Sequence, residues 1–226
     1  MAHTTKAPVP KSHHAHEVDI EDTFDFLNTD DLENGSRRDR LPTLHDALSW
    51  FVDRGVIHGE GADRLGHEAE TDPLAAQREL ARIHAVRGAL REVADALAEH
   101  RPPKEGALDT VNRALHARQV IELVPSTDGC VAVDHRHVGD PIDDALARLC
   151  DPLVTELTSG NPDRIKVCDN DRCLWVFYDT SRTGRRRWCD MATCGNRAKA
   201  ARHRARSKAA SGAAGVAGAA EAAPPL

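Results

Sequence analysis

An α+β fold, mostly helical and closing in a small cysteine-rich module, follows from three observations. Apolar residues recur every three or four positions in several segments between residues 44 and 158. Two β-prone runs flank a short turn near 126–129, and four of the six cysteines crowd into residues 168–194. The 226 residues are 40% apolar, 29% charged and only 4% aromatic. That composition suits two Ala- and Leu-rich globular units and excludes a disordered or membrane-spanning class.

Residues 1–17 are polar and aperiodic, with His13, His14 and His16 close together, and read as a disordered tail. In VDIEDTFDFLNT, Phe24 and Phe26 alternate as in a strand with one buried face. After Pro42, Leu44, Leu48, Phe51 and Val52 take helical spacing until Gly55. Asp72 caps and Pro73 opens a long core helix to about His100, its apolar stripe being Leu80, Ile83, Val86, Leu90, Val93 and Leu97. A helix from about Ala107 to Arg118 follows RPPKEG. QVIELVP and CVAVDH then form a β-hairpin around Ser126–Gly129. A last helix of this unit, from Pro141 to Thr158, runs into SGNPD, the expected hinge. The Ala/Gly-rich residues 209–226 read as a second disordered tail.

The net charge of −6 conceals an asymmetry. Residues 161–208 carry 13 Lys/Arg against 5 Asp/Glu, a net +8, whereas the rest carries 17 against 31, a net −14. An acidic body therefore bears a basic module, and a polyanionic partner for that module is the electrostatic implication. The opening segment has no apolar stretch of secretory type and no run of eighteen apolar residues occurs, so a cytoplasmic location without membrane insertion is expected.

In a reducing compartment, paired cysteines point to a metal before a disulfide. Cys168-x4-Cys173 and Cys189-x4-Cys194 are separated by fifteen residues, enough for a hairpin that folds the pairs together around one tetrahedral zinc. Leu174–Tyr178 and Arg185–Trp188 are the expected strands of that hairpin, and Asp190 caps a helix whose first turn holds Cys194. Knuckle, hairpin and helix make a treble-clef-like zinc finger spanning 161–208. Four sulfur ligands leave no open position, so one structural Zn2+ is expected and no catalytic residue is assigned. On the helix, Cys194, Ala198, Ala201 and Ala205 form a stripe suited to packing on the finger. Beside it run Arg197, Arg204 and Lys208 on one edge and Lys199, Arg202 and Arg206 on the other. With Arg185, Arg186 and Arg187 these residues fit a nucleic-acid backbone, and Asn196 and Arg197 carry side chains that pair with base edges. A solvated basic helix docked on the acidic body is the alternative.

Cys130 and Cys150 read as small buried hydrophobes. Trp175 and Trp188 read as finger core rather than stacking platforms for bases. Asn28, Thr29, Asp30 and Asp31, following the expected strand, are candidates for a polar ligand pocket or for a capped turn.

Cys194-Gly195-Asn196-Arg197, preceded by Arg187-Trp188-Cys189 and with Phe177 and Asp179 after the first pair, resembles the CGNR zinc finger family. FDFLNTDD, a Leu-Pro-Thr segment and the helix with Trp50 are similar to the ABATE domain that precedes such fingers, here over residues 18–160. The resemblance implies a bacterial stress-induced transcription regulator that is not an enzyme. It also implies Cys168, Cys173, Cys189 and Cys194 as ligands and Asn196 and Arg197 as signature residues. DNA is the expected partner, with a small-molecule effector and self-association both compatible. An RNA-binding module, or an enzyme with its site in the N-terminal domain, are the rival readings.

Overall fold

The computed structural model describes residues 18–33, 35–57, 59–116, 119–126, 129–137 and 140–217. The tail expected at 1–17 with its three clustered histidines, residues 218–226 of the tail expected at 209–226, and the hairpin residues 127–128 lie outside this set. The observed fold is α+β: a mostly helical N-terminal region with a small antiparallel hairpin, then a four-cysteine cluster.

The first element, α1 (Ile20–Leu27), is a helix where alternation predicted a strand. A reciprocal cap explains the difference. The Asp19 carboxylate accepts the N–H groups of Glu21 and Asp22, and the Asp22 side chain accepts the N–H of Asp19. Phe24, Phe26 and Leu27 are all buried because neighbours surround the helix, and the Phe26 ring lies 5.6 Å from Trp50 and 6.0 Å from Phe51. A short hairpin follows, β1 (Asp30–Glu33) with β2 (Ser36–Asp39). Next come α2 (Leu44–Asp53), capped by Thr43 and Asp46, and α3 (Gly59–Thr71), a helix with few apolar residues that buries Ala62 and Leu65.

The long helix α4 (Pro73–Ala98) starts on the predicted cap, with Asp72 Oδ1 accepting the Ala75 N–H at 2.9 Å. Its Ile83, Val86, Leu90 and Val93 are buried, and it touches α1, α2, α3, α5 (Ala107–Leu115) and α6 (Pro141–Thr158). The hairpin of β3 (Gln119–Pro125) and β4 (Val131–His137) is present, with Gly129 at φ +83° in its turn. Cys130 is exposed, against expectation, as are its neighbours Gly129 and Val131; Cys150 is buried in α6 as expected.

Two corrections concern the C-terminal third. The strands there are β5 (Ile165–Val167) and β6 (Val176–Tyr178), which pair with each other; residues 185–188 form a loop instead of the second strand. Because the first cysteine pair itself turns the chain, its two flanks become the hairpin. Further, Ile165 and Val176 are buried in the same cluster as the helices of the body. Residues 159–163, the expected hinge, thus join elements packed on one core. The terminal helix α7 (Asn196–Ala217) also extends into the region expected to be disordered, as its alanines favour.

Candidate metal centre and basic face

The first knuckle hangs between β5 and β6. Cys173 N–H donates to the Asn170 carbonyl at 2.8 Å, and the N–H groups of Asn170 and Trp175 point at the sulfurs of Cys168 and Cys173. Each of these donors stands two residues after its cysteine, so the turn supplies hydrogen bonds that favour thiolate. Leu174 closes the turn at φ +60°, a left-handed conformation that costs a non-glycine residue about 1–2 kcal/mol. Arg91 of α4 holds this residue in place, its Nη2 donating to the Leu174 carbonyl at 2.7 Å.

The second pair is positioned by a loop and a capped turn. Buried Asp179 accepts the N–H groups of Ser181 at 2.9 Å and Arg186 at 2.8 Å, and Asp169 N–H donates to the Arg187 carbonyl at 2.8 Å. Burial pushes the Asp179 carboxyl up, but those hydrogen bonds outweigh it and hold the group below its ordinary value. Asp190 then caps a π-helical turn (Met191–Gly195), accepting the Thr193 N–H at 2.7 Å and its hydroxyl at 2.8 Å, and that turn presents Cys194.

All four sulfurs of Cys168, Cys173, Cys189 and Cys194 lie within 4.8 Å of one another. Cys173 to Cys189 is 3.6 Å and Cys189 to Cys194 is 3.8 Å. A tetrahedron of Zn–S bonds near 2.3 Å has edges of about 3.8 Å, so the cluster is sized for one zinc ion. The electrostatics agree. Hydrogen bonds from Cys173 and Cys189 draw the Cys168 thiol down, and donating those bonds, with burial and the nearby charge added, pushes Cys173 and Cys189 up. Several thiolates at this spacing require a cation, which a thiophilic divalent metal supplies. With four sulfur ligands a metal held here would have a closed shell and would serve as a structural pin.

Around the pin the basic residues divide. Arg186 hydrogen-bonds the Cys189 carbonyl and lies 5.0 Å from the Phe177 ring; Arg187 pairs with Asp169 at 2.5 Å. Arg187 and Arg202 also lie 5.3 and 5.9 Å from the ring of Trp188, which packs on the cysteine cluster. Arg185, Arg197, Lys199, Arg204 and Arg206 are exposed, and none forms an ion pair among the described residues. Asn196 donates from Nδ2 to the Ala192 carbonyl at 2.9 Å, bracing the cysteine turn. The expected packing stripe is not used: Ala201 and Ala205 are exposed, so α7 stands off the finger beyond its first turn. Trp175 is exposed and, against expectation, not part of the finger core; it reaches the body, its Nε1 donating to Asp31 Oδ2 at 3.3 Å.

The candidate ligand residues separate as well. Asn28 is buried and serves β6: its Oδ1 accepts the Val176 N–H and its Nδ2 donates to the Val176 carbonyl, both at 2.9 Å, as a neighbouring strand would. Thr29 accepts a hydrogen bond from Arg87 and donates one to the Phe26 carbonyl. Asp30 alone of the three borders a cleft of about 280 Å³, where it pairs with Arg37. Asn28, Arg91 and Asp179 had no role in the metal centre from spacing alone, since their partners lie far along the chain or in the backbone.

The CGNR zinc finger family matches residues 164–207, and the ABATE family, described as "Putative stress-induced transcription regulator", matches residues 23–160. No curated protein matches the chain at a significant level. Because the ABATE match spans more than half of the 226 residues, the chain belongs to that family, and its C-terminus carries a CGNR zinc finger.

Proposed function

We propose that this ABATE-family chain is a zinc-dependent, DNA-binding transcription regulator of the cytoplasm whose body senses a signal and sets the placement of the finger. One observation carries the reading. Among the described residues, Arg185, Arg197, Lys199, Arg204 and Arg206 are exposed with no ion pair, and they lie on the finger loop and on α7, which leaves the body immediately after the Cys194 turn. At 22 residues α7 is about 33 Å long, and a helix about 10–12 Å across fits a B-DNA major groove about 12 Å wide. Zinc fixes the start of α7 through Cys194, so the metal sets the direction in which the helix enters.

Within that face the roles differ. Arg185, Lys199, Arg204 and Arg206 are free to meet phosphates, whereas Arg186, Arg187 and Arg202 first shape the loop and Trp188. Asn196 is committed to the cysteine turn through its amide nitrogen. Arg197, exposed at the start of α7, is therefore the residue assigned to a guanine edge. The acidic body repels phosphate and confines contact to the finger, which favours a defined docking pose over lateral adhesion.

Binding isotherms of the zinc-loaded chain on a selected duplex, on random duplex and on structured RNA at several salt concentrations test this. About six phosphate contacts give a log–log salt slope of about −5. Arg197→Ala should cost about 1–3 kcal/mol on the selected duplex only. Stronger binding to structured RNA than to any duplex would move the finger to the RNA reading, and no nucleic-acid binding at low salt would end the regulator reading.

A further inference from the structure

The body carries a net charge of −14 outside residues 161–208, yet one cleft runs against it. Between the β1–β2 hairpin and α4, the 280 Å³ cleft is lined by Arg37, Arg87 and Arg91 against Asp30 and Asp39, with His84 beside them. The two carboxylates orient the arginines without exhausting them. Arg87, buried, is held by both oxygens of Asp39 at 2.8 and 2.6 Å and reaches Thr29 at 2.9 Å. Arg37 spends Nε and Nη2 on Asp30 at 2.8 and 2.5 Å. Arg91 spends the same two nitrogens, on Asp95 at 2.9 Å and on the Leu174 carbonyl at 2.7 Å. Neither Nη1 has a partner among the described residues. Three carboxylates, Asp30, Asp39 and Asp95, match the three arginines in charge, so what the cleft offers is donors: two pre-oriented guanidinium groups with an Nη1 to spare suit a planar or tetrahedral oxyanion.

We propose that this cleft binds one small anion bearing a carboxylate or phosphate group, and that Arg91 links its occupancy to the zinc knuckle. The volume equals about nine water molecules at about 30 Å³ each, enough for inorganic phosphate or a four-carbon dicarboxylate. An anion on Arg91 Nη1 restrains the guanidinium whose Nη2 clasps the left-handed Leu174 beside Cys173. Ligand in the body therefore tightens the join to the finger without touching it. The proposal gives a chemical class to the signal in the sensor reading above and rests on that reading for its regulatory meaning. The binding itself is measured without DNA, so failure of one is distinguishable from failure of the other.

The test titrates the zinc-loaded full chain at low ionic strength with inorganic phosphate and, separately, with succinate, by calorimetry. One saturable site per chain is expected for at least one probe. Arg37→Gln should weaken it tenfold or more, and because the Arg37 side chain is 77% exposed this variant keeps the fold. Lys199→Gln, on α7, should leave it unchanged. Hydrogen exchange at residues 174–176 should slow when the anion binds the natural chain and should not respond in Arg91→Gln. Absence of saturable binding by both probes overturns the site. So does binding that survives Arg37→Gln but is lost in Lys199→Gln, which would place the anion on the nucleic-acid face. Binding with unchanged exchange at 174–176 overturns the link through Arg91.

Discussion

The two halves of the finger share one metal centre and have opposite surroundings. Its first half, β5 and β6 with the knuckle between them, is built into the acidic body: Ile165 and Val176 lie in the body's core, and Asn28, Asp31 and Arg91 reach across to residues 174–176. Its second half, the 179–190 loop and α7, is basic and exposed, and is held mainly by two cysteines, two aspartate caps and backbone contacts. A finger anchored on one side only can act as a mount: the body fixes where the cysteine cluster sits, and a metal bound there would fix where α7 points.

Metal removal should separate the halves most strongly. Zinc contributes on the order of 10 kcal/mol to folding of small zinc modules. Stripping it should abolish protection at 189–206 while leaving residual protection at 165–167, read by hydrogen exchange. Equal collapse of both segments would break the comparison. Metal analysis should find one zinc per chain, lost in Cys173→Ser.

A smaller effect is expected from the body alone. A chain ending at Gly160 loses the burial of Ile165 and Val176, each aliphatic side chain contributing about 1.5–3 kcal/mol. It should still unfold cooperatively, but at a clearly lower temperature than the whole chain. An unchanged melting temperature would mean that the shared core contributes nothing.

Next comes the single amide that ties the two together. Asn28→Ala strands a buried N–H and a buried carbonyl of Val176, at about 1–3 kcal/mol for each unsatisfied group. Urea unfolding should show a loss of about 2–4 kcal/mol with the zinc content unchanged. A loss below about 0.5 kcal/mol would show that water or a local shift satisfies β6 instead.

The smallest effect in stability belongs to the exposed half. Arg185→Ala should change stability by less than about 0.5 kcal/mol and reduce the DNA salt slope by about 1. Arg186→Ala, which also removes the hydrogen bond to the Cys189 carbonyl, should lower stability as well. If the two behave alike, the distinction between shaping and contacting arginines fails.

Much of this architecture was legible along the chain. Asp72, Pro73 and a regular apolar stripe specify α4, and the two Cys-x4-Cys pairs with Asp190 specify the four-cysteine cluster and the turn that presents Cys194. The errors have physical causes too. In VDIEDTFDFL two aromatics two residues apart mimic a strand, while the Asp19–Asp22 cap and burial on several sides decide for helix. At 185–188 β propensity is weak against Asp179, whose carboxylate fixes the Arg186 backbone in a loop.

By itself the sequence determined a cluster of four cysteines, a basic C-terminal module on an acidic body, and the principal core helix. These depend on spacing, charge and periodicity within short segments, which the covalent chain sets directly. Only the tertiary structure decided that Asn28 caps the edge of β6, 148 residues away, that Arg91 clasps the zinc knuckle, and which arginines remain unpaired. Each is a meeting of groups from distant segments, and its free energy exists only once packing has removed water and brought the partners into hydrogen-bond range.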